Sequence, residues 1–225
     1  MWSREELQRL GRICCENNIL IISDEIHCDL VYKYHGKRHI PLASVSQEIA
    51  MNSITCLAPS KTFNLAGLQT SIPLIPNPVL KARYEQMLDS FGIFRPNLFG
   101  LTALPAAYRY GEPWLEELLE YLEGNLRYLR SWMSEHLPMV KVMEPDASYL
   151  VWMDFSAIKP AGRTVHDVLL EEGRVWLEEG CEFGDGGEAF ERVNIACPRA
   201  TLAEGLARIQ RGLEKADLIK KEEAR

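Results

Sequence analysis

Lys61 and Asp24 are the two residues whose types and placement could do covalent chemistry together. Each follows a strand-like apolar run: Ile19-Leu20-Ile21-Ile22 leads into Ser23-Asp24-Glu25, and Ser53 to Leu57 leads into Ala58-Pro59-Ser60-Lys61. Polar residues just past the carboxyl ends of parallel strands sit where open α/β sheets bind ligands. If the two strands are neighbours, the lysine and the aspartate face one crevice. A lysine desolvated there is less basic, and its neutral amine can attack an aldehyde to form a Schiff base. A carboxylate beside it can hold a pyridine nitrogen protonated. Taken singly, Asp24 also reads as a surface carboxylate, Lys61 as a solvated loop lysine and Gly67 as a turn. It is the joint placement that favours chemistry.

That pairing is what pyridoxal phosphate requires, because the protonated ring serves as an electron sink. The surrounding text carries a resemblance. Ile21-Ile22-Ser23-Asp24-Glu25-Ile26-His27-Cys28-Asp29-Leu30-Val31-Tyr32 and Ala58-Pro59-Ser60-Lys61-Thr62-Phe63-Asn64-Leu65-Ala66-Gly67-Leu68-Gln69 resemble the fold-type I pyridoxal-phosphate enzymes. The nearest group is the cystathionine β-lyase-like C–S lyases of the class I/II aminotransferase superfamily. Ala147 to Asp154 and Arg192-Val193-Asn194-Ile195-Ala196-Cys197-Pro198-Arg199 match further along, so the resemblance runs through nearly the whole chain. It implies that Lys61 holds the cofactor and shuttles the substrate Cα proton, and that Asp24 pairs with the pyridine nitrogen. His27 falls near the cofactor's phenolic oxygen, Ser60 near its phosphate, and Arg199 clamps the substrate α-carboxylate with its bidentate fork.

Two departures qualify the resemblance. Many aminotransferases of this fold carry an arginine shortly after the lysine, where this chain reads Gly67-Leu68-Gln69-Thr70. The gap favours a lyase, with α,β-elimination from cystathionine or a cysteine S-conjugate to thiol, pyruvate and ammonia, over an aminotransferase. The family also has a substantial segment before the point that matches Met1-Trp2, with part of the sheet and of the phosphate site. The expectation is therefore either a truncated or split product, catalytic or not, or a chain whose missing part another chain supplies. A homodimer is what the family implies.

The elements that must position these residues are legible from periodicity. Ser3-Arg4-Glu5-Glu6 is a capping box, opening a helix to about Asn17 with Leu7, Leu10 and Ile13/Cys14 on one face. The run Ile19 to Ile22 reads as a parallel strand covered on both faces. Strands follow at Ser53 to Leu57 and Thr70 to Ile75, then helices at Pro78 to Phe91, Asn97 to Tyr110 and Pro113 to His136. In the last helix Trp114, Leu118, Leu122, Leu126, Leu129 and Met133 recur at three- and four-residue steps. After Pro138 the texture is of short strands (Val140 to Met143, Tyr149 to Asp154, Val193 to Ala196), a helix near Val165 to Glu172 and a final helix from Leu202 to Ile219. Lys220 to Arg225 reads as a charged, frayed tail. The fold class is α/β: the second part of a pyridoxal-phosphate large domain, mainly a parallel sheet with helices, over 1–112. A small α+β domain follows over 113–225.

Composition narrows the remaining options. A net charge of −7, with Lys and Arg interspersed among acids, argues against nucleic acid as a partner. No apolar run is long enough to span a bilayer, so the expected location is the cytoplasm. The six cysteines lack C-x-x-C spacing and read as reduced core thiols. His35 and His39 have an i, i+4 spacing but lie in a loop read as without a partner carboxylate, and no metal site is expected. Gly184-Asp185-Gly186-Gly187 resembles a phosphate loop only superficially, and Trp114, Trp132 and Met133 read as core.

Overall fold

Local stereochemistry sets the first elements of the computed structural model, which describes residues 1–93 and 97–220. Helix α1 (Arg4–Glu16) begins at Ser3, whose side chain accepts from the Glu6 amide while the Glu6 carboxylate accepts from Ser3 N. This is the capping box read from the sequence. Strand β1 (Ile21–Asp24), helix α2 (Gln47–Met51), strand β2 (Ser53–Leu57), the one-turn helix α3 (Pro59–Thr62) and strand β3 (Ile72–Leu74) follow. Helices α4 (Pro78–Ser90), α5 (Leu98–Tyr110) and α6 (Glu112–His136) come next. The remaining elements are β4 (Lys141–Val142), β5 (Leu150–Asp154), α7 (Val165–Glu171), β6 (Glu178–Glu179), β7 (Phe190–Asn194) and α8 (Arg199–Lys215). The tail expected after Lys220 lies outside the described residues.

The chain divides into two compact units, Met1–Leu119 and Glu120–Arg225. The first holds a three-stranded sheet of order β1-β2-β3. Strands β1 and β2 are parallel, with Ile21 opposite Ser53 and Asp24 opposite Cys56, and β3 runs antiparallel to β2. A small core of Leu7, Leu42 and Ile49 covers one side, with Cys15 and Ile21 packed against it. Gly11 is needed there, because a Cβ on it would lie 2.2 Å from Ile49 Cδ1.

The expectation that β1 is covered on both faces fails in this chain. Ile22 is 69% exposed, and the strand begins at Ile21, leaving Ile19 and Leu20 exposed before it. Alternate side chains of a strand point to opposite faces, and within this unit helices cover only one of them. The helix face also differs from expectation: Leu7 and Cys14 are buried, Leu10 only half-buried, and Ile13 exposed.

The second unit carries an antiparallel sheet of order β4-β5-β7-β6. Its two central strands alternate cleanly: Val151, Met153, Glu191 and Val193 are buried, while Trp152 and Arg192 stand opposite one another on the less buried face. Leu122, Leu126, Leu129 and Met133 of α6 are buried, as the periodicity predicts, whereas Trp114 is 45% exposed. The close approach of α8 to the turn after α7 needs Gly212, where a Cβ would stand 2.7 Å from Gly173 N.

Candidate active site

The parallel register of β1 and β2 brings Asp24 and Lys61 to the same edge of one sheet. Asp24 is the last residue of β1, level with Cys56, and Lys61 lies on the turn that opens directly after β2. Pro59 at the first helical position and the extended Ala58 before it start that turn. Ser60 precedes Lys61 on the same turn. Asp24 Oδ1 accepts the Ile26 amide at 3.2 Å, which folds the chain into the bend carrying His27. The Cys56 thiol is pushed up by burial and by the charge of Asp24.

A buried carboxylate fixes the loop behind Asp24. Glu25, 5% exposed, accepts from Ser23 Oγ at 3.0 Å and from Leu42 N at 2.9 Å, and lies 2.6 Å from His39 Nε2. Burial alone would raise its pKa, but the bonds from His39, Leu42 and Ser23 outweigh it and hold it below the usual carboxylate range. His39 is thus the partner of a carboxylate distant in sequence. Among the described residues, no group of three or more His, Cys, Asp or Glu side chains could hold a metal ion.

A second cluster surrounds Asp29. Thr62 Oγ1 donates to Asp29 Oδ2 at 2.8 Å, with Thr62 itself fully buried. The neighbouring Cys28 thiol is pushed up to about 12, by burial first and then by the charges of Asp29 and Glu25. The Tyr108 hydroxyl is likewise pushed up to about 12 by burial and by Asp29. Sequence reasoning quoted Asp29 and Thr62 within the motifs and assigned them nothing. Their contact spans 33 positions and has no local signal.

In the second unit, Arg199 is held on several sides. Its Nε donates to Asn125 Oδ1 at 2.7 Å, its backbone amide donates to the Tyr121 hydroxyl at 2.8 Å, and its guanidinium lies 4.9 Å from the Tyr128 ring. Asn125 is fully buried and also donates to the carbonyls of Ile195 and Cys197, tying α6 to the loop before α8. Its signal was present in the sequence, as a lone amide within the apolar stripe of α6. Arg192, on β7, pairs with Glu178 and lies 4.3 Å over the Phe183 ring. Both rings under it, Phe183 and Trp152, line a cavity of about 370 Å³ together with Met143, Phe190 and the 184–187 turn. Gly180 and Gly187 close that turn backbone to backbone, since a Cβ on Gly187 would be 2.1 Å from Gly180 O. The turn whose likeness to a phosphate loop is superficial in sequence is one wall of an aromatic cavity.

All six cysteines are free, but against the expectation of core thiols only Cys14 is buried; Cys15, Cys28, Cys56 and Cys197 are half-buried and Cys181 is exposed. No described helix is long and apolar enough to cross a membrane.

Residues 1–209 match the family described as aminotransferase class I and II. The chain is 46% identical over 212 residues to cystathionine beta-lyase PatB of Bacillus subtilis, covering 94% of this chain and 54% of that protein. It is 32% identical over 209 residues to the protein MalY of Escherichia coli, covering 92% and 52%. Among solved structures it resembles cystalysin of Treponema denticola, which contains a pyridoxal 5'-phosphate cofactor. The TM-score is 0.89 at 30% identity, over 96% of this chain and 54% of that one. The chain spans about half the length of the relatives it matches.

Proposed function

The chain belongs to the class I and II aminotransferase family, and from that premise we propose that it is the lysine-bearing part of a pyridoxal-phosphate carbon–sulfur β-lyase. The observation that carries this reading is the level register of Asp24 with Cys56, with Lys61 on the turn just past β2. An amine and a carboxylate at adjacent parallel strand ends suit a pyridine-ring cofactor. Asp24 keeps one carboxylate oxygen on the Ile26 amide, which orients it to hold the pyridine nitrogen protonated. When bound, the cofactor supplies an electron-withdrawing ring that takes up the charge left at the substrate Cα.

In this reading Lys61 holds the cofactor and then moves the Cα proton. Ser60 contributes to the phosphate site and His27 lies towards the phenolic oxygen. The thiol leaves from Cβ of cystathionine or a cysteine S-conjugate, and water hydrolyses the released aminoacrylate to pyruvate and ammonia. The name of the Bacillus subtilis relative and the lack of an arginine in Gly67-Leu68-Gln69-Thr70 both support elimination over transamination. The whole protein is read as a cytoplasmic homodimer acting on a small amino acid.

Carboxylate recognition is assigned to Arg199, whose Nε is fixed by Asn125 while its outer nitrogens keep their donors. A second reading gives the task to Arg192. Its guanidinium lies over the ring of Phe183, which lines the aromatic cavity, and its partner Glu178 is half-exposed, so a ligand carboxylate could take that partner's place. Arg199→Lys and Arg192→Lys separate the two. Losing a bidentate charge-assisted pair should raise KM for cystathionine by about 10- to 100-fold in one variant and leave it unchanged in the other.

The test of the whole reading is to incubate the purified chain with pyridoxal phosphate, reduce with borohydride and map the pyridoxyl group by mass spectrometry. One equivalent on Lys61, absent in Lys61→Ala, is expected. Scattered labelling of surface lysines would make the chain a non-catalytic fragment of its family. Pyruvate release from cystathionine without a 2-oxo acid then separates lyase from aminotransferase.

A further inference from the structure

We infer that Asp29 is a positioning residue: its bond to Thr62 locks the Lys61 turn to the loop that carries Asp24. The inference rests on the reading of Lys61 as the reactive lysine. Beyond Asp24 and Cys56 the β1–β2 ladder has one more bond, from Glu25 N to Cys56 O at 3.0 Å. Past it, the sheet no longer holds the two turns together. Lys61 sits on a single helical turn, closed by Phe63 N to Pro59 O at 2.8 Å and Leu65 N to Ser60 O at 2.9 Å. One turn of helix does not sustain itself, because nucleation costs more than the first bonds return. Its direction must be imposed by tertiary contacts.

Two contacts next to Lys61 impose it. Phe63 sets its ring edge-on to Tyr108 at 5.4 Å, in space left by Gly111, where a Cβ would be 2.6 Å from that ring. This contact is apolar and weakly directional. The Thr62 hydroxyl, fully buried and 2.8 Å from Asp29 Oδ2, is directional. Successive residues of a helical turn point about 100° apart, so anchoring Thr62 inward fixes the exit direction of Lys61. Asp29 follows Asp24 by five positions, so the same bond ties the lysine to the loop of its proposed carboxylate partner. Cys28 and Tyr108, both pushed up to about 12 by burial first, also hydrogen-bond to Asp29, so its carboxylate gathers α5 and its own loop as well as the Thr62 hydroxyl.

The test needs no bound cofactor. Thr62→Val removes the donor at constant shape, Thr62→Ser restores it, Asp29→Ala removes the acceptor and Asp29→Asn keeps one. Hydrogen exchange of the 58–66 peptide is measured in the full chain, together with the pH profile of Lys61 acetylation relative to Lys33 and Lys81. Thr62→Val and Asp29→Ala should speed exchange of the Phe63 and Leu65 amides about tenfold and shift the Lys61 profile. Thr62→Ser should behave as the parent chain, Asp29→Asn should fall between, and the β1–β2 amides should be unchanged. The inference is overturned if Thr62→Val leaves both readouts unaltered, or if exchange speeds equally throughout 1–119. Failure of the parent chain to take a pyridoxyl group on Lys61 would instead count against the cofactor reading, and the exchange data would still report on the tether.

Discussion

Glu191 is 2% exposed on β7, with His166 Nδ1 3.2 Å from its carboxylate. Burial pushes its pKa up to about 7, against the opposing pull of His166. An unfolded glutamate titrates near about 4.3. Between those values the native state therefore binds more protons than the unfolded one, and stability falls as pH rises through the window. Glu191→Gln keeps a neutral hydrogen-bonding group and should remove this decline. Relative to the parent chain it should gain about 1–2 kcal/mol between pH 5 and pH 8 in urea titrations. Parallel curves for the two proteins would exclude Glu191 as the group. The opposite sign holds at Glu25, whose lowered pKa contributes stability above the unfolded value and loses it as pH falls towards the folded one. Glu25→Gln should therefore flatten the acid limb of the stability profile. It should also cost about 1–3 kcal/mol near neutrality, because Leu42 N and His39 lose a charged acceptor.

Among the elements, α8 offers a paired test of packing. Gly212 and Gly205 lie in the same helix, yet a Cβ on Gly212 meets the Gly173 backbone at 2.7 Å and one on Gly205 meets nothing within 4 Å. Gly212→Ala should destabilise the second unit by about 1–3 kcal/mol, since backbone cannot yield as a flexible side chain can. Gly205→Ala should stabilise it by about 0.5–1 kcal/mol through helix propensity. Thermal or urea unfolding of the two variants checks both signs. Helix positions were legible in sequence because the 3.6-residue period of α6 and the capping box at Ser3 are local; the caps at Asn77 and Asn97 emerge from the structure. The short β6 was not legible: Glu178-Glu179 carries no apolar alternation and is a strand only because it pairs with Arg192 and Glu191.

At the scale of the whole molecule, the first unit exposes several large apolar side chains. Ile22 at 69%, Phe91 and Leu98 at 72% and Phe99 at 73% are examples. Exposed apolar surface of this kind promotes self-association. Ile22→Thr keeps strand propensity and should cost less than about 0.5 kcal/mol. It should at the same time lower dye binding and the sedimentation-detected oligomer fraction. A marked loss of stability instead would mean that Ile22 is covered within the chain in solution. Division into two units further implies that urea unfolding of the chain departs from a single two-state transition.

By itself, the amino-acid sequence determined the kinds and order of most elements, the α/β class, and the recognisable ancestry of the motifs that contain Asp24 and Lys61. Those features depend on backbone stereochemistry, periodicity and residues close in the chain. Only the tertiary structure decided which face of the Ile19–Ile22 run is bare, that His39 answers Glu25, that Thr62 anchors on Asp29, and that Arg192 lies over Phe183 while Arg199 is braced by Asn125. Each of these is a contact between residues far apart in sequence. Strand register and close packing select such contacts jointly, and a local pattern carries no record of the partner.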